Sequence, residues 1–349
     1  MRILLVGDGH AQIHEPALAM SLKNAGAQIE TFFWNSYFSS KNRINRFLYK
    51  IENKLLYGPR IQKIQTDLID AVIRYQPEVV FIYRGTHIFA STLRTIRQLG
   101  YKVVLFNNDD PFSKNQSRLL WRHFKRGIKF SNLALAYRKH NITDYLLAGA
   151  PESALFRSWY IPDKNRKVQL SPEDYKRWES DIIFIGHFED DGRLDLIEAL
   201  ASGPWKFKLF GPEWDRTASK SKVLKNRVPI LQLHGEDYNN AISSAKIAIC
   251  LFSKLNRDTY TRRCFEIPAS GTMMLSEYSD DMAGMFEADR EVVFFRSGEE
   301  LIQKAKYYLT HHNEREAIAR RGYERVTKDG HDVNSRAKQL IQLINKFCV

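Results

Sequence analysis

The stretch from Asp258 to Glu277 sets two kinds of reactive group side by side: D-T-Y-T-R-R-C-F-E-I-P-A-S-G-T-M-M-L-S-E. Arg262 and Arg263 precede Glu266 by four and three residues, so a helix here puts at least one arginine on the carboxylate's face. The free N–H groups and dipole of the helix start, with the guanidiniums, could hold an anion. Glu266 could accept hydrogen bonds from sugar hydroxyls. An ordinary helix-to-strand connection, stopped by Gly271 and carrying a solvated arginine pair, fits the same residues. Asp109-Asp110-Pro111 offers either a proton-accepting carboxylate or a helix N-cap before a first-turn proline. His10 and His14 flank the first glycine loop, and His87 follows an apolar run. Each could line a cleft or face solvent. Asp190-Asp191 and Asp280-Asp281 are adjacent pairs, not D-x-D, and no histidines cluster near them. No metal site is expected.

The elements that must position these groups alternate between apolar runs and amphipathic segments. Residues 2–7 (R-I-L-L-V-G) read as a buried strand, Gly7-Asp8-Gly9-His10 as its loop, 13–24 as a helix and 27–34 as a second strand. This is the opening of a doubly wound α/β domain. The G-x-G lacks the third glycine of a dinucleotide fingerprint and no acidic residue ends the second strand, which argues against a nicotinamide cofactor. Strands at 77–83, 102–106 and 133–137 alternate with helices at 63–75, 91–99, 114–126 and 141–147. Arg84 to His87 and Asn107 to Asp110 then fall in loops at C-terminal strand ends, where open α/β sheets hold ligands. Pro151, Pro162 and Pro172 mark 151–177 as a connection. A second series follows, with strands at 181–186, 206–210, 230–233, 247–252 and 291–295 and an apolar run from Met273. Its helices are read at 194–201, 237–245 and 299–309, with terminal helices at 313–327 and 333–347.

At 349 residues, 44% of them hydrophobic, the chain is long for one core and two domains are expected. No apolar run reaches the length of a membrane span, and the N-terminus reads as a strand and not as a signal peptide. Cys250, Cys264 and Cys348 are odd in number and outside CxxC spacing, which fits a reducing cytoplasm. The net charge of +13 calls for an anionic partner. No acid lies between Asp110 and Asp144, an interval holding Lys114, Arg118, Arg122, Lys125, Arg126, Lys129, Arg138 and Lys139. A second basic stretch, Lys41–Lys63, carries Arg43, Arg46, Lys50, Lys54 and Arg60 against Glu52 alone. Within it Phe47, Leu48, Ile51 and Leu55 recur at helical spacing. Such a helix can lie on an anionic membrane or pack on its own core with a solvated basic face.

Two doubly wound domains closed by C-terminal helices resemble the GT-B glycosyltransferases. Four motifs sharpen this: R-x-F-E-I-P-A-x-G at 262–271, F-E-A-D-R-E-V-V-F-F at 286–295, E-L-I-Q-K-A-K-Y-Y-L at 300–309 and I-A-R-R-G at 318–322. Like N-N-D-D-P at 107–111, they are similar to the CgeB-like glycosyltransferase family, densely over 181–345 and loosely before it. The resemblance implies two Rossmann-like domains facing a central cleft, at 1–165 for the acceptor and 166–330 for a nucleotide-diphospho-sugar. A last helix at 331–349 packs back toward the first domain.

The spacing Asp258-x7-Glu266 resembles the E-x7-E of related retaining transferases, in which the second carboxylate holds the ribose hydroxyls and the first lies near the donor sugar. The resemblance places Gly271 and Thr272 close to the donor and His234 in a base-binding loop. Arg193, after Gly186-His187, joins Arg262 and Arg263 as a candidate for the leaving diphosphate. Asp109 or Asp110 would take the acceptor's proton, with Gly9, His10, His87 and Asn108 lining the acceptor side. Related retaining enzymes often carry a histidine where this chain has Asn108-Asp109, which leaves the stereochemical outcome open.

The expected protein is a metal-independent hexosyltransferase without a cofactor, using a UDP- or GDP-linked sugar as co-substrate. It would act on a saccharide or lipid-linked glycan in bacterial surface polysaccharide or glycoconjugate synthesis. It would work in the cytoplasm or on the inner face of the membrane, with Lys41–Lys63 and Lys114–Lys139 meeting lipid or acceptor phosphate. The alternatives are a phosphorylase or epimerase on the same fold, or a nucleic-acid-binding protein. The last lacks any known module, so no nucleic-acid partner is expected.

Overall fold

The structure is a computed structural model and describes residues 1–39 and 42–348; Lys41 and the side chain of Arg43 lie outside them. The chain divides into two compact units, Met1–Ser158 with the C-terminal segment from Val333, and Trp159–Asp332.

The first unit holds β1 (Arg2–Gly7), β2 (Gln28–Phe33), β3 (Val79–Tyr83), β4 (Lys102–Asn107), β5 (Leu133–Ala136) and β6 (Ser153–Leu155). They form one parallel sheet in the order β2-β1-β3-β4-β5-β6. The second holds β7 (Ser180–Ile185), β8 (Phe207–Phe210), β9 (Ala245–Cys250), β10 (Met273–Glu277) and β11 (Val293–Phe295). Its order is β11-β10-β9-β7-β8, again parallel. The central strands are continuous apolar runs because helices cover both faces of a parallel sheet. Ile3 to Val6, Val80 to Ile82 and Ile247 to Cys250 are accordingly almost wholly buried.

Both sheets share one winding. The first strand of each unit has the second on one side and the third on the other. The order therefore reverses between β1 and β3 and between β7 and β9. A crevice opens at the carboxyl ends of strands where such a reversal occurs. The helix Val333–Phe347 packs on Glu15–Asn24 of the first unit.

Several local expectations change. Residues 114–121 run through turns, and only Arg122–Gly127 is helical, so the basic stretch has no single helix face. Arg138 is buried, with its guanidinium 4.6 Å from the centre of the Tyr137 ring, and leaves the basic surface. The connection 151–177 contains β6 and the start of a helix, Pro172–Trp178, capped by the Ser171 side chain on Asp174 N. Residues 230–233 form no strand: Ile230 N donates to Asp215 Oδ1 and the Leu231 carbonyl accepts from Gly211 N. Among the described residues, no helix is long and apolar enough to cross a membrane.

Candidate functional site

In the second unit, Gly186 follows β7 directly, and the helix Arg263–Ala269 starts beyond β9, beside the same crevice. A Cβ on Gly186 would lie 3.1 Å from Arg263 Nη1 and 2.9 Å from Phe184 Cζ, so the missing side chain is the room the guanidinium occupies. Among the described residues, the buried Nε of Arg263 has no hydrogen-bond partner and no carboxylate lies within ion-pair distance of the side chain. Burial opposes the arginine's charge, but its electrostatic interactions with Cys250, Tyr238 and Glu266 outweigh this and raise its pKa.

Glu266, one turn into the helix and buried, accepts from Tyr238 Oη at 2.7 Å and pairs with Arg262 Nε at 3.5 Å. Burial, and then the Glu266 charge, push Tyr238 well above the ordinary tyrosine pKa, so it stays a donor. A carboxylate has about four lone-pair sites, so Glu266 keeps acceptor capacity for a ligand. Arg262 Nε also donates to the Trp159 carbonyl at 3.0 Å.

The remaining candidates hold other posts. Arg193 is buried and forked onto Asp191, with Nε–Oδ1 at 2.8 Å and Nη2–Oδ2 at 2.6 Å; it also meets Glu189 at 3.2 Å and the His187 carbonyl. It fastens the loop after β7, and its donors are already engaged. Asp191 in turn accepts from Lys254 N, joining that loop to the one after β9. Asp258 lies in the second loop, where Oδ2 accepts from Ser253 N at 3.4 Å and Asp258 N donates to the Ser253 carbonyl. His234 is exposed before the helix Gly235–Ser243, its ring 3.3 Å from Gln232 Oε1.

Gly271 and Thr272 leave the site. They precede β10, at the amino end of the sheet and away from the crevice. Gly271 closes the helix with φ +76°, and the buried Thr272 hydroxyl donates to the Ile242 carbonyl at 2.7 Å.

In the first unit, Gly9 needs its missing side chain: φ is +71° and a Cβ would fall 2.4 Å from the Phe33 ring. His10 is exposed beside it. The space at this glycine loop is filled from within. Glu15 is buried and accepts from Asp8 N at 3.0 Å, and a Cβ on Gly7 would collide with its carboxylate at 2.6 Å. Burial raises the Glu15 pKa despite these backbone bonds. The loop therefore binds the chain's own carboxylate where a dinucleotide protein binds pyrophosphate.

His87 is a core residue and does not line a cleft. Its ring stacks on Trp34 at 5.3 Å, and both nitrogens are engaged, by Thr86 Oγ1 at 2.9 Å and Asn53 Oδ1 at 2.7 Å. Burial lowers its pKa to about 4. Asp110 fills neither reading: residues 111–121 run through turns with no helix to cap, and its carboxylate holds the first of those turns. It is fully buried and accepts from Phe112 N and from Asn141 Nδ2, both at 3.0 Å. A group so enclosed cannot reach a substrate proton. Asp109 is partly exposed and pairs with Arg84 at 2.9 Å, and among the described residues the buried Oδ1 of neighbouring Asn108 has no hydrogen-bond partner. Arg84 itself sits at φ +61°. Among the described residues, no three His, Cys, Asp or Glu side chains gather as a metal site.

Sequence reasoning missed Tyr238, Glu15 and the Asp191–Arg193 fork. The first two are brought to their partners only by the fold. The third is foreshadowed by the acidic run Glu189-Asp190-Asp191 before Arg193.

Paired doubly wound sheets of this kind define the GT-B fold. Residues 193–342 match a family model described as glycosyl transferase-like. The chain is similar in structure to sucrose-phosphate synthase from Thermosynechococcus elongatus (TM-score 0.71, 13% identity, 99% of this chain and 98% of that one). HepE from Anabaena, solved in complex with UDP and glucose, is similar at TM-score 0.70 and 12% identity over 99% and 100% of the two chains. A glycosyltransferase from Rickettsia africae gives TM-score 0.67 and 13% identity over 99% and 98%. No curated protein matches the sequence.

Proposed function

We propose that this chain is a CgeB-like glycosyltransferase moving a hexosyl group from a nucleotide-diphospho-sugar to a saccharide or lipid-linked glycan. One observation carries the reading: among the described residues, the Arg263 guanidinium, seated against Gly186 at the β7–β9 reversal, has no carboxylate within ion-pair distance. Sugar transfer breaks the bond between the anomeric carbon and a diphosphate oxygen and forms one to an acceptor oxygen. Negative charge grows on the leaving diphosphate, and a prearranged cation lowers that barrier. Arg263 takes this role with Arg262 beside it, and no metal is required. Glu266, positioned by the Tyr238 hydroxyl, binds ribose hydroxyls, and Asp258 serves the donor sugar. In the first unit, Asp109 is the base that takes the acceptor hydroxyl's proton.

HepE's complex with UDP and glucose makes a uridine diphosphate sugar the first donor to try, ahead of a guanosine one. The biological setting fitting this chemistry is bacterial surface polysaccharide or glycoconjugate synthesis on the cytoplasmic side of the membrane. A thermal-shift screen against nucleoside diphosphates and their sugars tests the reading. A true donor at a hundred times its Kd stabilises by about 2.7 kcal/mol. Equal stabilisation of the wild type and of Glu266→Ala by the best ligand would remove the donor-site assignment.

A further inference from the structure

The helix Arg43–Leu55 is mounted with its apolar side outward. Polar and cation–π contacts tie it to the rest of the first unit. Glu52 pairs with Arg60 at 2.8 Å, Asn53 accepts from His87 at 2.7 Å, and the Tyr49 ring lies under the Arg60 guanidinium. Ile44, Phe47, Leu48, Ile51 and Leu55, spaced at i, i+3, i+4, i+7 and i+11, form one stripe on the other side. They are 71%, 65%, 48%, 40% and 49% exposed, so the stripe covers no core. Arg46, Lys50 and Lys54 are exposed along its flank.

The stripe runs into a cationic surface. Past Leu55 the helix end is held by Arg122, whose Nη2 donates to the Leu55 and Leu56 carbonyls at 2.7 and 3.0 Å. A cavity of about 530 Å³ opens there, lined by Leu55, Tyr57, Phe89, Arg122, His123 and Arg126. Arg126 also lines its neighbour of about 550 Å³, with Arg94, Lys125 and Lys129 around Ser91 and Phe130. Among the described residues, no acidic side chain lines either cavity. Burial lowers the His123 pKa, so the arginines and lysines supply the charge.

We propose that this face docks on an anionic phospholipid bilayer. The stripe from Ile44 to Leu55 enters the headgroup–acyl boundary, and the pocket of Arg94, Lys125, Arg126 and Lys129 takes lipid phosphates. An interfacial helix sinks its apolar face about 5–10 Å into the headgroup–acyl boundary and keeps basic residues beside it. Cations at the surface then draw in anionic lipid. Nucleic acid would use the cations and leave the apolar stripe in water. A second copy of the chain would cover the stripe but repel the cations. The docking depends only on this surface and stands whether or not the chain transfers a sugar.

Flotation of the full chain with phosphatidylcholine vesicles, with and without phosphatidylglycerol, tests it in the absence of any donor. The expected result is flotation with the anionic vesicles only, weakened by salt. The double variant Phe47→Glu/Ile51→Glu should reduce it to background. Arg126→Ala and Lys129→Ala should each weaken it about five-fold. Every substituted residue is partly or fully exposed, and an unchanged unfolding temperature confirms the fold. The proposal is overturned by no partition onto anionic vesicles, or by partition indifferent to Phe47→Glu/Ile51→Glu. It is also overturned by preferred, stripe-independent binding to random duplex DNA, or by a soluble dimer that the double variant dissociates while vesicles stay bare.

Discussion

The first strand of each unit runs into a glycine, Gly7 at the end of β1 and Gly186 just after β7, and the two make room for opposite charges. At Gly7 the vacant Cβ position is taken by the Glu15 carboxylate, which binds the loop's own N–H groups. At Gly186 it is taken by the Arg263 guanidinium, which among the described residues forms no ion pair with a carboxylate. The winding is the same and the reversal point is the same, yet one crevice is satisfied internally and the other is left wanting an anion. A fold of this class supplies the place for a ligand, and one side chain decides whether the place is open.

The most severe test of that contrast is Arg263→Gln. Loss of a cation aimed at developing charge costs on the order of 10²–10³ in turnover. Initial-rate assays with the donor found by thermal shift should show that loss with the unfolding temperature nearly unchanged. A fall in stability at full turnover would break the comparison.

His87 gives a purely structural effect in the first unit. Its pKa is about 4 folded against 6.5 unfolded, so the stability it confers is complete above 6.5 and fades as pH falls toward 4. The difference amounts to about 3 kcal/mol. Urea unfolding across that window should show the decline, and His87→Asn should flatten it.

The paired glycine variants come next. Gly7→Ala should expel Glu15 and cost about 2 kcal/mol of stability, the penalty of unmade buried hydrogen bonds. Gly186→Ala should shift the guanidinium and weaken nucleotide binding about ten-fold by calorimetry, a loss of about 1.4 kcal/mol. Equal effects on binding from both would erase the distinction between the units.

The smallest expected effect is that of Glu15→Gln. Glu15 has a raised pKa, so its contribution is fullest below 4.5 and declines as pH rises through the folded value. Against the glutamine variant, wild-type stability should therefore slope downward just above pH 4.5, opposite in sign to the His87 effect.

Most of the fold was legible because parallel strands buried on both faces are unbroken apolar runs, as in R-I-L-L-V-G, I-I-F-I and I-A-I-C. β6 escaped because it is three half-buried residues between polar segments. Residues 230–233 misled because two apolar side chains there pack without a neighbouring strand. In the site, R-R-x-x-E at 262–266 carried its own signal, since helical spacing alone joins Arg262 to Glu266. His87 and Asp110 read as site candidates because loop position shows in sequence and burial does not. What encloses them, Trp34 and Asn53 or Phe112 and Asn141, is distant or set by a turn. Arg193 was misjudged for the reverse reason: acids two and four residues away hold it by a local fork.

The two buried thiols Cys250 and Cys264 face one another at 3.7 Å, one closing β9 and the other in the helix that bears Glu266 and Arg263. Neither meets solvent while that helix is docked. Cys348, in the first unit, is the remaining thiol. The chain thus carries native labelling probes for each unit, and the alkylation kinetics of Cys250 and Cys264 would clock how often the arginine-bearing helix lifts from its strand.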